Sequence, residues 1–446
     1  MENIEVSFFG ENRVIFQGEA TGRLDVMGGI ADYSGARVLQ KAIREKTTVK
    51  IAFRTDKQFR ILSRFKDSSK EAQIHLDKIL KHQKIHFAHA QDFFRQHQEI
   101  HWTSYIIGCF LVVAYIKKIN LSGFDILVES HVPIGKGVSS SAALEIATMR
   151  AIERAYQFSF EGTELARLAQ QAENFIAGAP CGLMDQLACH FGKPNALLPI
   201  DCRPDILHPL IEIPKDVYFI GIDSGVSHSV KGTSYTNVRT AAFMGYTIIA
   251  LKAGCTESQL LHAKATNDRH SLPYHGYLAN ISPSEFEKKY RRDIPFSMEG
   301  TYFLKNFGTI IDNVTSVTPK NYVLRNAVMH PIHENYRVIL FQHLLMGLHS
   351  SSENQKHDIL IAMGELMYQS HESYAACGLG DDNTDTLVEM VQELGPEHGL
   401  YGAKITGGGS GGTVCILAYG EKGLQTAKQI HQKYQEKVKQ QVAFFD

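Results

Sequence analysis

With 446 residues, 44% of them apolar and 21% charged, the chain is long for a single core and has the make-up of an ordinary globular protein, so two domains are expected. Its formal net charge is −1, from 46 Lys and Arg against 47 Asp and Glu with the signs interspersed, which gives no electrostatic case for nucleic acid or an anionic membrane. The acidic N-terminus lacks the layout of a signal peptide, the longest apolar run (105–116) is shorter than the ~20 residues of a spanning helix, and seven cysteines without a C-x-x-C pair read as free thiols, so a cytoplasmic protein is expected.

In chain order, residues 14–27 read as a strand broken at Gly22, with a second apolar run ending at Gly28 and Gly29, and residues 47–53 alternate as a strand does. Residues 71–94 carry a helical pattern, and 105–119 a second, apolar one. A strand at 124–130 feeds a glycine-rich turn, after which Ala143, Ile146, Ala147 and Ile152 fall at helical spacing; helices are expected at 145–156 and 161–175. A short strand at 196–201 precedes a proline-punctuated stretch, 204–214, that reads as a crossover between domains. Residues 217–224 form a buried strand, 259–318 support no assignment, and helices return at 336–349 and 357–371. The tail has two apolar strands around a glycine run, then a polar helix to about 442. This alternation predicts an α+β or α/β fold with a sheet in each half. The domains are expected at 1–208 and 209–446.

Four stretches carry chemistry. Gly135, Lys136, Gly137, Val138, Ser139, Ser140 and Ser141 form a glycine turn opening onto a helix. Unpaired N–H groups and the positive end of the helix dipole favour an anion there, and a serine hydroxyl is placed to ligate Mg²⁺. A Ser-capped helix after a tight turn explains the same residues, and no Walker-type loop occurs in the chain. Six glycines within 402–412 (Gly402, Gly407, Gly408, Gly409, Gly411, Gly412) cost chain entropy that a plain hairpin seldom needs, which points to close backbone approach to a ligand. Glu173 and Asp185 lie among apolar neighbours such as Leu183, Met184 and Leu187, where carboxylates are costly unless paired or metal-bound. One suits Mg²⁺ and the other a substrate hydroxyl, although solvated turn residues fit as well. Arg23, followed by Gly28, Gly29 and Asp32, suits a polar ligand or an Arg–Asp ion pair across a turn. His82, His86 and His89 share a predicted helix face, with His75, His97 and His101 nearby, but no cysteine or spaced carboxylate completes a metal site, and a half-exposed face is expected.

In this order the motifs resemble the signature of the GHMP sugar and metabolite kinases, most closely the galactokinase branch. Residues 23–34 resemble its first motif, G-R-V-N-L-I-G-E-H-T-D-Y-N, residues 133–144 its second, P-x-G-x-G-L-S-S-S-A-A-L, and residues 403–412 its third, A-K-x-T-G-G-G-F-G-G. Residues 172–186 follow the run A-E-H-x-x-A-G-x-P-C-G-x-M-D-Q almost position by position, and 222–235 are similar to a segment ending in Ser-Glu-Tyr. The resemblance covers about residues 14–420. It implies an α+β fold of two domains, an N-terminal ribosomal-protein-S5-like α/β domain and a C-terminal ferredoxin-like α+β domain, with the active site in the cleft between them. It further implies that Gly135 to Ser141, with Gly408 and Gly409, hold ATP, and that Ser141 and Glu173 hold Mg²⁺. Asp185 would face the anomeric hydroxyl with Arg23 beside it, and Asp32, Gly29, Ile30, Gly182 and Tyr235 would line the sugar pocket.

One departure bears on the substrate. Galactokinases have Glu-His-Thr-Asp where this chain has Gly29, Ile30, Ala31 and Asp32. The missing Glu is the family's partner for the galactose hydroxymethyl group, so a C6 hydroxyl here would be buried without a hydrogen bond, a penalty on the order of 1–3 kcal/mol. L-Arabinose has galactose's ring stereochemistry without C6, and residues 22–35 look like the kinase domain of plant-type L-arabinokinases, which carry a further glycosyltransferase-like region. The expectation is an ATP-dependent sugar 1-kinase acting on L-arabinose, with a galactokinase or uronic-acid kinase as the rival and a non-catalytic sugar sensor as the alternative of another class.

Overall fold

A computed structural model describes residues 4–65, 68–203, 205–227 and 233–446. The chain folds into two compact units that are not contiguous in sequence. One holds Met1–Arg23, Ala42–Ile134 and Ser139–Gly192; the other holds Leu24–Lys41, Gly135–Val138 and Lys193–Asp446. This differs from the single break expected at 208/209. The strands Phe16–Met27 and Arg37–Phe53 each begin in one unit and end in the other, which no composition shift marks.

In the first unit, Thr47–Phe53 pairs antiparallel with the strand Phe124–Ser130, which pairs parallel with Gln58–Phe65, and that strand pairs antiparallel with Ser68–His75. The helix expected at 71–94 is therefore corrected. Ala72 and Ile74 point inward opposite Ile61 and Phe59, a period of two, and helix resumes only at Leu76–Ile79 and Phe87–Gln96. His82 falls in the intervening turn and His86 caps the second helix, so His82, His86 and His89 do not share a helix face. Gly22 lies within one continuous strand and breaks nothing. The apolar run became the helix Ser104–Lys117, whose residues from Ile106 to Ala114 are all buried. With the preceding turn it is long and apolar enough to cross a membrane by length and composition, yet most of it lies inside this unit, with Phe110 packed on Phe59 and Phe124. Against it pack the helices Ser140–Tyr156 and Glu164–Ala172.

The second unit has a four-stranded antiparallel sheet in the order Leu400–Ile405, Thr413–Tyr419, Val217–Asp223, Phe444–Phe445. Residues 205–214 do not cross over: Asp205–Leu207 and Ile211–Glu212 fold back to pair with Ala196–Cys202, while Pro204 lies outside the described residues. The unassigned stretch 259–318 holds short helices, Glu257–Thr266, Pro283–Lys289 and Gly300–Phe307, whose few apolar positions pack around the long helix Thr233–Lys252. The helix expected from 336 begins at Leu324 and continues through Pro331, because tertiary packing outweighs the lost hydrogen bond.

The helix Glu353–Ala376 lies on the strand Leu400–Ile405 through two glycines. A Cβ on Gly364 would sit 1.8 Å from the Tyr401 carbonyl oxygen, and one on Gly402 would sit 2.5 Å from Gly364 Cα. Backbone thus packs on backbone. Gly364→Val should lower unfolding free energy by about 3 kcal/mol, the upper part of the usual overpacking range, read from the urea midpoint. Gly347, in the helix Leu324–Gly347, has no neighbour nearer than 4.0 Å and should accept Ala without loss.

Candidate functional site

In the first unit the chemistry gathers around three helix ends. The helix Ser140–Tyr156 starts from Ser139, which is held in the left-handed region at φ 60°, ψ 48°, and whose buried hydroxyl has no hydrogen-bond partner. The helix Glu164–Ala172 widens into a π-turn, Glu173–Ala177, closed by Gly178. Such turns redirect side chains at functional positions. Here the widening turns Glu173 inward, where it is buried. Asp185 lies in the first turn of Met184–Phe191, next to Gly182 in the preceding loop, and its half-buried carboxylate completes the group.

Arg23 donates from Nε (3.0 Å) and Nη2 (2.7 Å) to Asp185 Oδ1, with the arginine side chain almost wholly buried. The Gln186 amide donates to Glu173 Oε2 at 2.6 Å and to Glu145 Oε2 at 3.1 Å, and the Cys181 thiol donates to Glu173 Oε2 at 3.4 Å. Ser141 also hydrogen-bonds Glu173. Burial, reinforced by the neighbouring Asp185 charge, pushes Glu173 up to about 7 against the hydrogen bond from Ser141. Burial and the Glu173 charge push Glu145 well above the carboxylate range, so Glu145 is the protonated partner and donates to Glu173.

Mg²⁺ binds proteins through one or two carboxylates together with substrate phosphates. Glu173 and the Ser141 hydroxyl supply oxygen donors of that kind, and a cation would relieve the crowding of buried acids, so these residues fit Mg²⁺. Among the described residues no group of three or more His, Cys, Asp or Glu is arranged to hold a metal on protein ligands alone, so Mg²⁺ there would need phosphate oxygens as well.

In the second unit, the two glycine runs meet. A Cβ on Gly137 would lie 3.5 Å from the Thr406 carbonyl and 3.7 Å from Gly412 Cα, and Thr413 Oγ1 donates to the Lys136 carbonyl at 2.7 Å. The Lys136 ammonium pairs with Asp223 at 3.0 Å. Beside the second glycine run, Gly409 packs against Leu379 and Gly408 is half-buried.

The same unit holds the turn from Gly28 to Asp32. Lys404 Nζ donates to Asp25 Oδ2 at 2.9 Å, and both side chains are fully buried. Asp25 Oδ1 accepts from Gln40 Nε2 (2.6 Å) and from the Gly29 N–H (3.0 Å), Glu334 accepts from Gly28 N (3.1 Å), and Tyr374 Oη accepts from Ile30 N (2.9 Å). Ile30 is buried, Asp32 is nearly so, and Tyr235 stands edge-on to Tyr33 at 6.0 Å. Residues 228–232 of the segment leading to Tyr235 lie outside the described residues.

The first unit thus brings together Arg23 with Asp185 and Ser141 with Glu173, with Ser139 and Ser140 at the same helix start and Gly182 in the loop before Asp185. The second sets Lys136 and Gly137, between Gly135 and Val138, against residues 406–413, and places Ile30 in one core cluster with Tyr235, with Gly29 and Asp32 in the same turn as Ile30. Sequence reasoning missed Glu145, Gln186, Asp25, Lys404 and Tyr374. A signal existed for two of them: Glu145 sits on the apolar side of its helix, and Lys404 interrupts an apolar strand.

Comparison with known proteins places this geometry. Residues 104–193 match the model of the GHMP kinases N terminal domain, and residues 357–440 match that of the GHMP kinases C terminal. An L-arabinokinase of Arabidopsis thaliana is 38% identical over 95% of this chain, which spans 44% of that protein's length. A galactokinase of Chloroflexus aggregans is 30% identical, with 90% of this chain and 84% of the relative covered. The crystal structure of Lactococcus lactis galactokinase complexed with galactose superposes with a TM-score of 0.71 at 20% identity, covering 99% of this chain and 95% of that one.

Behind the turn, His330 packs edge-on against Tyr374 at 5.2 Å, shares a 2.7 Å hydrogen bond with Ser373, and is held down to about 4 by burial. Its neutral form is therefore native, whereas the unfolded chain takes up a proton near pH 6.5. Stability should accordingly fall as pH drops from 6.5 towards 4, by up to about 3 kcal/mol from this group. Against a His330→Gln variant, urea unfolding at pH 7, 6, 5 and 4.5 should show the wild-type advantage shrinking as pH falls.

Proposed function

The chain belongs to the GHMP kinase family, and on that footing we propose that it is an ATP-dependent sugar 1-kinase, converting L-arabinose and ATP to L-arabinose 1-phosphate and ADP. The observation that carries the choice of sugar is the turn at 28–32. It keeps Asp32 for ring hydroxyls and has no polar side chain at 29, 30 or 31 to receive a C6 hydroxyl. The 38% identity to an L-arabinokinase supports the same choice. The 30% identity to a galactokinase favours galactose as the second reading.

Asp185 accepts the proton of the anomeric hydroxyl as that oxygen bonds to the γ-phosphorus; the bond from phosphorus to the β,γ-bridging oxygen breaks, and ADP leaves. Arg23, fixed by its two hydrogen bonds to Asp185, orients that carboxylate and stabilises charge on the transferred group. Mg²⁺, when bound, neutralises charge on the phosphates; Ser141 and Glu173 would hold it, with Gln186 and protonated Glu145 orienting Glu173. The N–H groups from Gly135 to Ser141 and the backbone at Gly408 and Gly409 would cradle the nucleotide. Tyr235, Gly182, Gly29, Ile30 and Asp32 would line the sugar pocket. All seven cysteines are free thiols, in keeping with a reducing compartment, and we assign the enzyme to the cytoplasm with a small sugar as its partner.

An ADP-release assay over L-arabinose, D-galactose, D-galacturonate and D-glucuronate tests this. L-Arabinose should give the highest kcat/KM, a galactose value equal to or above it would remove the sugar assignment, and ATP binding without turnover of any sugar would favour the sensor. Asp185→Asn should lower kcat by 10²-fold or more while sugar affinity, read by calorimetry, stays within a few-fold. A near-normal kcat would take Asp185 out of the chemistry.

A further inference from the structure

The turn that sets this chain apart is closed from behind by a residue more than three hundred positions away. A Cβ on Gly29 would lie 1.5 Å from Tyr374 Oη and 2.8 Å from its Cζ, with Asp25 Oδ2 at 3.0 Å. Gly29 itself has φ +43°. No side chain can be carried at 29 while Tyr374 stands where it does. Tyr374 is fully buried near the end of the helix Glu353–Ala376. Its hydroxyl accepts from Ile30 N (2.9 Å) and donates to the Gly407 carbonyl (2.8 Å), so one phenol joins the 28–32 turn to the second glycine run. The ring is held on its edges and face by His330 at 5.2 Å and Lys404 Nζ at 5.5 Å.

We propose that Tyr374 is a specificity-determining residue: its hydroxyl takes the volume into which a side chain at 29 would project and fixes Ile30 by its backbone. This wall of the sugar pocket then carries no polar side chain at 29, 30 or 31, the Tyr374 hydroxyl being engaged by Ile30 N and the Gly407 carbonyl, and a sugar lacking the C6 hydroxyl is selected. The proposal rests on the assignment of the 28–32 turn to the sugar pocket made above. Tyr374 acts through residues 29 and 30 and touches no reacting atom. It is also the element that makes glycine obligatory at 29, so the two positions should vary only as a pair.

Two measurements test this. The first is a thermodynamic cycle by urea unfolding on Gly29→Ala, Tyr374→Leu and the double variant. Gly29→Ala should be strongly destabilising alone and much less so beside Tyr374→Leu; additive effects would overturn the proposal, because the two groups would not then compete for space. The second is the ratio of L-arabinose to D-galactose affinity by calorimetry, together with the ratio of kcat/KM, in wild type, Tyr374→Phe and Gly29→Glu/Tyr374→Leu. The ratios should fall at least tenfold in the double variant and by a smaller step in Tyr374→Phe, which removes only the hydroxyl and keeps the ring. Ratios within twofold of wild type in both variants would overturn the proposal even if the cycle shows coupling, leaving Tyr374 a structural residue. A wild type that prefers galactose would instead overturn the L-arabinose assignment, and Tyr374 would keep its role only if the ratios still moved towards galactose.

Discussion

The second unit is organised around an ion pair with no access to water, Asp25 with Lys404 at 2.9 Å. Bringing two charges out of water is expensive, and the attraction between them offsets that cost only if the remaining lone pairs are also satisfied. On the aspartate, Oδ1 takes Gln40 and the Gly29 N–H, and the Asp25 backbone N–H goes to Thr406 Oγ1. The pair therefore does more than bind two strands. It fixes the first peptide of the 28–32 turn from the same carboxylate that receives the lysine, and Glu334 holds the preceding peptide with Arg337 and Ser370 as its own partners. Burial works to raise Glu334, and the charges of Arg337 and Lys404, with the hydrogen bond from Ser370, overcome it and hold that carboxyl down to about 2. A turn secured this way can dispense with polar side chains of its own at 29 and 31.

The first unit solves the opposite electrostatic problem. Glu145, Glu173 and Asp185 are acids drawn together with one nearby arginine, and Arg23 is committed to Asp185. Gln186 spans Glu145 and Glu173 with a single amide. Because that residue follows Asp185 directly, the helix that presents one carboxylate also steadies the other two. Residues in the Cys181 to Gln186 run thus have separable tasks despite reading as one motif.

The motifs were legible in the sequence because each combines rare features at short range: glycine runs, serines ahead of a helix, carboxylates among apolar neighbours. The strands at 47–53, 124–130 and 217–223 were legible for the same reason, since alternation or a short apolar run is a local property. What escaped was set by distant partners. The strand Ser68–His75 has helix-tolerant residues and takes its form from pairing with Gln58–Phe65. The helices between 257 and 307 are short, and their few buried side chains make sense only against the long helix Thr233–Lys252. Tyr374 looks in sequence like one more aromatic residue on a helix, and its meaning depends on Gly29 having no side chain.

The interleaving of the two units has a consequence for how the chain reaches its fold. Residues 24–41 belong to a unit whose main body begins at 193, so Asp25 waits for Lys404, nearly 380 residues later, before its charge is compensated. On a ribosome the first strand emerges long before its partners exist. Contacts of such sequence separation make for slow assembly, because a large loop must close before its reward is collected. A carboxylate is costly to bury before its cation arrives. No single cut of the chain would yield both units whole, because each is assembled from separated segments of one polypeptide.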